Sequence, residues 1–150
     1  RLGDARLVFV GQGSGWEDLA ERARRVAGVE LIPAVSAEEA DRWMARASAT
    51  LASLRPGGYD YAYPTKILAS LAQGTPVIYA GPGQAGRDVR EAGLGAACGL
   101  DADQVAEAMV AVASGTLNWV GEERVRAWVR EHRSVSASSR AAAAVVRSAL

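Results

Sequence analysis

The sequence predicts an α/β domain, a Rossmann-like open parallel β-sheet sandwiched by helices. Short apolar runs alternate with longer stretches whose apolar residues recur at helical spacing. Strands that alternate with helices pair in parallel and are covered by helices on both faces. The chain has 150 residues, 49% of them hydrophobic, which suits one ordinary domain spanning 1–150 with a real core.

The elements follow in order. "RLVFVG" is a buried strand, Leu7 to Val10, closed by Gly11. After "GQGSG", Leu19, Ala23 and Val26 recur at helical spacing in "WEDLAERARRVAG", and Gly28 is its expected C-cap. "VELIP" is the second strand. "SAEEADRWMARA" opens with Ser36 and Glu39 as a capping box, and Ala40, Trp43, Met44 and Ala47 form its inner, core-packing face. A third strand runs from about Thr50 to Leu54. A helix then spans about Pro64 to Gly74, followed by a strand in "TPVIYA". "GPGQAGRD" reads as a glycine-rich loop, "VREAG" as a short helix and "LGAACGL" as a weaker fifth strand. Asp101 caps a helix in "ADQVAEAMVAVASG". Two more helices are expected, about Leu117 to His132 and Ala137 to Leu150.

Several classes of function are excluded or disfavoured. Seventeen basic side chains balance seventeen acidic ones, so nothing draws the whole chain toward nucleic acid or an anionic membrane. Cys98 is the sole cysteine, which rules out an internal disulfide and a cysteine zinc cluster. His132, the sole histidine, sits in the charged run "RAWVREHRS" and reads as a solvated surface residue. No apolar run approaches the roughly 20 residues needed to span a bilayer. The opening "RLGDARLVFVG" reads as a cut through a larger protein.

Ligands of open parallel sheets bind beyond the C-terminal strand ends. Gly11–Gly15, Arg55–Pro64 and Gly81–Gly86 are expected on that rim. "GQGSGW" invites comparison with a dinucleotide fingerprint, but Trp16 stands where its third glycine belongs. Glu30 is a weak match for the acidic residue that should follow. No Gly-Lys-Ser/Thr follows either. Gly11 and Gly13 are candidate ligand contacts, or simply what a sharp strand-to-helix turn requires.

Lys66 is the chain's only lysine, against sixteen arginines. Pro64 suits a first helical turn, having no N–H to leave unpaired. Thr65 and Lys66 then fall at the positive end of the helix dipole, where an acidic residue would stabilise the helix better. Free amides, a hydroxyl and an ammonium together suit a phosphate or diphosphate. A solvated lysine is the alternative. Arg55 and Arg87 offer further positive charge at the same rim.

"PTKILASLAQGTPVIYAGPGQAGRDVREAGLGAAC" resembles the C-terminal half of retaining glycosyltransferases with two facing Rossmann-like domains (the GT-B fold; glycosyl transferase group 1, GT4-like). Val10 to Gly13 match a Val-Gly-x-Gly strand end. Pro64 to Lys66 match a Pro-Ser-Lys helix start, and Ala72 to Val77 an Ala-x-Gly-x-Pro-Val turn. The resemblance spans about Leu7 to Arg133. It implies a domain that binds a nucleotide diphosphate sugar, with the lysine helix start facing the diphosphate and the first glycine loop near the donor. It implies Lys66 and Arg55 as the charged groups assisting departure of the nucleoside diphosphate. Donor contacts are implied at Gly11, Gly13, Tyr61, Pro64, Thr65, Lys66 and Ala69. A missing N-terminal domain would supply the acceptor site, and the segment 136–150 would cross back to it or lie on its own domain. No cofactor beyond the donor, no metal and no nucleic acid are expected. The full-length enzyme is expected in the cytoplasm, with peripheral membrane association.

One departure bears on activity. Many relatives carry two glutamates eight residues apart. The matching positions here are Tyr61 and Ala69, with Asp60 one residue from the first. A degenerate, non-catalytic nucleotide-binding or protein-interaction module is therefore the alternative reading. A dinucleotide domain is disfavoured by Trp16. A response-regulator-like domain is disfavoured because Val10 and Leu54 end their strands without an acidic cluster.

Overall fold

The computed structural model describes residues 5–57 and 61–148. Five strands alternate with helices: β1 (Leu7–Gly11), α1 (Trp16–Ala23), β2 (Val29–Pro33), α2 (Ala37–Arg46), β3 (Thr50–Ser53), α3 (Thr65–Ala72), β4 (Val77–Ala80), α4 (Gln84–Glu91) and β5 (Gly95–Cys98). Three helices complete the chain: α5 (Ala102–Ala113), α6 (Glu122–His132) and α7 (Val135–Ser148). Every strand pairing is parallel, as the alternation predicts.

The strands form two sheets rather than one. β1 pairs with β2, Leu7 opposite Val29, and the second sheet has the order β3-β4-β5. Apolar periodicity specifies that a segment is a strand but not which strand lies beside it. β3 has an unpaired outer edge among the described residues, and Leu51 on it is 37% exposed.

The core belongs to the second sheet. Ala52, Ile67, Leu71, Val77, Tyr79, Ala85, Val89, Leu94 and Val125 form one buried cluster. Side chains alternate across a strand, so Val77 and Tyr79 share the face covered by α3 and α4. Ile78 points the other way, where α5 packs on β4 and β5 and buries Ala108. Complete burial of a side chain such as Leu71 or Ile67 stabilises the fold by about 1.5–3 kcal/mol. No residue from 5 to 51 is buried. Trp43 and Met44 are accordingly half-buried rather than core; α2 is held to the rest by contact with α3 and by the Thr75 hydroxyl, which donates to the Met44 carbonyl at 2.7 Å.

Several helix ends follow local chemistry. The Ser36 side chain accepts from the Glu39 amide, and Asp101 accepts from the amides of Asp103 and Gln104. Gly74 has a φ of 83° and closes α3 in a Schellman motif, with Gly74 N–H to the Leu71 carbonyl and Thr75 N–H to that of Ser70. Other ends differ from expectation. α1 stops at Ala23, with Arg24 as its C-cap, because Arg25 and Val26 turn on three-residue hydrogen bonds instead of extending the helix to Gly28. α4 begins at Gln84, five residues before the predicted start, so the "QAGRD" read as loop is helical. Glycine disfavours a helix by about 1 kcal/mol against alanine, but the buried Gly86 lies near the Tyr79 ring, where an added Cβ would come to 3.4 Å. α6 begins only at Glu122, because residues 117–121 are irregular and Trp119 packs on the core.

Candidate functional site

The parallel second sheet sends the C-terminal ends of β3, β4 and β5 to one rim. From that rim the chain enters α3 and α4. The first residue of each loop is tied to the neighbouring strand: the Leu54 amide donates to the Ala80 carbonyl at 3.0 Å, and Gly81 N–H to the Cys98 carbonyl at 3.3 Å. Gly81 lies so close under Leu54 that a Cβ there would sit 2.5 Å from the Leu54 carbonyl oxygen. Tyr79 donates its hydroxyl to the Pro82 carbonyl at 2.8 Å and so holds the same loop from beneath.

Two of the three helix starts that follow the strands of this sheet share an unusual composition, α5 being the exception. Neither α3 nor α4 has a side-chain cap, and neither has an acidic residue in its first turn. α1, α2, α5 and α6 all carry acids there, and α7 is capped by Ser134, whose Oγ accepts from the Ala137 amide. Uncapped first-turn amides at the positive ends of two helices form a place for an anion.

Pro64 is the N-cap of α3, with extended backbone, rather than its first helical residue. Its carbonyl accepts from Ile67 N–H, so Thr65 and Lys66 are the first two residues of the helix proper. Both side chains are exposed, and Lys66 makes no ion pair with a described residue. Arg55 is exposed beyond the end of β3. Arg87, on the first turn of α4, donates to the Gln84 amide oxygen from Nε at 3.2 Å and Nη2 at 2.7 Å. Tyr61 is 85% exposed, and Ala69 is half-buried one turn along α3 from Lys66. Neither presents a carboxylate. Asp60 lies outside the described residues. Gly11 and Gly13 sit at the end of β1, in the other sheet. A Cβ on either would meet nothing within 4 Å, and no hydrogen bond joins their loop to the β3–β5 rim among the described residues. The structure thus brings Pro64, Thr65, Lys66, Arg55 and Arg87 to one rim, while Gly11 and Gly13 follow a strand of the other sheet.

One cluster carries no sequence signal. Arg133 ends α6 and donates from Nη2 to Asp88 Oδ2. Its guanidinium lies 4.7 Å over the Tyr63 ring and 5.6 Å from that of Trp128. Burial, and then the charge of Asp88, push the Tyr63 hydroxyl well above its ordinary range, with Arg133 partly offsetting them. Burial works against the Arg133 charge, but the hydrogen bond and charge of Asp88 outweigh it and hold the group above its usual value. Seventy residues separate Tyr63 from Arg133, so no spacing rule links them. Two concavities adjoin this cluster. The larger, of about 340 Å³, is lined by Asp88, Glu91, Ala92, Trp128, His132 and Arg133, none of them a predicted donor contact. His132 is exposed, as expected, and stacks on Trp128 with ring centroids 5.2 Å apart. Among the described residues no group of three or more His, Cys, Asp or Glu side chains could hold a metal ion.

Parallel sheets wrapped by helices, with basic residues beyond the strand ends, make a Rossmann-like domain of the kind found as one half of a GT-B fold. Residues 1–115 match the family described as glycosyl transferases group 1, and the chain belongs to that family. It is similar to the crystal structure of AviGT4, a glycosyltransferase involved in avilamycin A biosynthesis, at 26% identity and a TM-score of 0.69. That similarity covers 91% of this chain and 41% of AviGT4, so the chain spans well under half the length of that relative. No curated protein matches.

Proposed function

We propose that the chain is the donor-binding, C-terminal half of a retaining glycosyltransferase, and that it binds a nucleotide diphosphate sugar at the rim of the β3–β5 sheet. The observation that supports this best is the pair of uncapped, acid-free helix starts, α3 and α4, with Lys66 on the first turn of one and Arg87 on the first turn of the other. The first-turn amides, Lys66 and Arg55 neutralise the charge that builds on the nucleoside diphosphate as it leaves the anomeric carbon. The rim has one wall; a companion N-terminal domain of the same enzyme supplies the other, together with the acceptor site. Val135, Val145 and Val146 of α7 are 85%, 68% and 61% exposed. In this reading they form the apolar stripe that meets the companion domain. The enzyme works in the cytoplasm.

A degenerate, non-catalytic module is the second reading, favoured by Tyr61 and Ala69 where relatives have carboxylates. Calorimetric titration of the intact protein with UDP, GDP, ADP, dTDP and their sugars, beside Lys66→Ala, tests both. The variant is expected to weaken diphosphate ligands about tenfold, the size of one lost charge-assisted contact, with bare nucleosides hardly affected. Equal diphosphate affinity in wild type and variant refutes the site. The chain alone is expected to bind without turnover; diphosphate binding without sugar transfer or donor hydrolysis when the companion domain is present supports the non-catalytic reading.

A further inference from the structure

We propose that Arg133 is a positioning residue for the rim, holding the starts of α3 and α4 in register so that both serve one diphosphate; this rests on the donor-binding reading above. Two arms leave its guanidinium. One is the contact with the Tyr63 ring, and Tyr63 immediately precedes Pro64, the N-cap of α3. The other is the hydrogen bond to Asp88. Asp88 in turn accepts from Gln84 Nε2 through Oδ1 at 2.6 Å, and Gln84 is the first residue of α4. The Gln84 amide oxygen then accepts from Arg87. A continuous chain of contacts thus runs from Arg133 to the α3 start bearing Lys66 and to the α4 start bearing Arg87.

β4 lies between the two helices in sequence, and each follows its own loop. Independent motion of either by about an ångström would spoil simultaneous contact with one ligand. The brace is also a poor device for stability alone. Among the described residues, the Tyr63 hydroxyl and Arg133 Nε are buried with no direct hydrogen bond of ordinary geometry, the hydroxyl having only weaker polar contact with Asp88 and Arg133. Incompletely satisfied polar networks cost stability where apolar packing would not. Retaining one beside two anion-binding helix starts fits a role in orientation.

The test uses the intact protein and its Arg133→Met, Arg133→Lys, Asp88→Asn and Lys66→Ala variants. Each is titrated with UDP, GDP, ADP, dTDP and inorganic pyrophosphate, and each is unfolded in urea. Arg133→Met is expected to weaken the best-bound diphosphate about tenfold. Asp88→Asn should weaken it in the same direction. Arg133→Lys, which keeps the charge but not the planar stack, should restore part of the affinity. If Arg133→Met lowers the urea midpoint but leaves affinity within about twofold, while Lys66→Ala still weakens binding, the brace is structural and the inference is overturned although the donor reading stands. If Lys66→Ala has no effect, or no diphosphate binds, the donor reading falls and the inference with it. Should Arg133→Met not fold, Arg133→Lys and Asp88→Asn decide by the same comparison.

Discussion

Replacing Gly81 by alanine tests whether the rim loops are locked together as the geometry indicates. The new Cβ would stand 2.5 Å from the Leu54 carbonyl oxygen, 3.1 Å from the Leu54 nitrogen and 3.1 Å from the Tyr79 hydroxyl. The first two are backbone atoms that cannot swing aside. Gly81 also has a φ of 153°, a region costly for alanine by about 1–3 kcal/mol. Forcing backbone apart in a packed region costs about 1–3 kcal/mol more. Partial retreat of the loop relieves some of this, so a loss of about 3 kcal/mol is expected. In a chain of this size that lowers Tm by about 6–12 °C. Gly115 is the matched control: its φ is 69°, but an added Cβ would meet nothing within 4 Å. Gly115→Ala should therefore cost about 1–2 kcal/mol, from backbone conformation alone. Urea unfolding of both variants, with unchanged slope as the check that the end states are the same, gives the comparison. Gly81→Ala costing no more than Gly115→Ala would show that the Leu54–Gly81 contact does not hold the rim.

Two further outcomes are expected. Arg126 donates from Nη2 to the Gln73 carbonyl at 2.7 Å and so caps the C-terminal end of α3 from α6; Arg126→Met should cost about 1–2 kcal/mol in urea unfolding, and a loss under about 0.3 kcal/mol would dismiss that cap. Burial, aided by Glu107, pushes the Cys98 thiol up, so iodoacetamide at pH 8 should modify it more slowly in the folded chain than in the urea-unfolded one. The same shift favours the neutral thiol in the folded state, so its contribution to stability is present below the thiol's unfolded pKa and is lost as pH rises through the folded value. Equal alkylation rates would contradict it.

Much of the fold was legible because its signals are local. The strand at Val77–Ala80 announces itself as an apolar run after Gly74, and the Ser36 and Asp101 caps were readable from residue type and spacing. Pro64-Thr65-Lys66 pointed to the helix start that the structure places at the rim, although Pro64 proves to be the cap and not the first turn. The glycines of "GPGQAGRD" read as loop, whereas α4 runs through the second half of that stretch. Burial of Ala85, Gly86 and Val89 against the sheet, which no local pattern records, carries the helix through that glycine. The Trp43–Met44 stripe has helical spacing but never meets the buried cluster, since spacing identifies a face without saying what covers it.

The sequence by itself determined the alternation of strands and helices, the parallel pairing that alternation entails, and a lysine where a helix start would rather have an acid. Those properties are written in periodicity, turn residues and caps, all of which act within a few positions along the chain. Tertiary structure alone decided that β1 and β2 form a separate sheet, that α3 and α4 open on a common rim, and that Arg133 ties Tyr63 to Asp88. Each of these depends on which distant segments become neighbours. That is settled by the summed burial and hydrogen bonding of whole elements, and no local run of residues records the result.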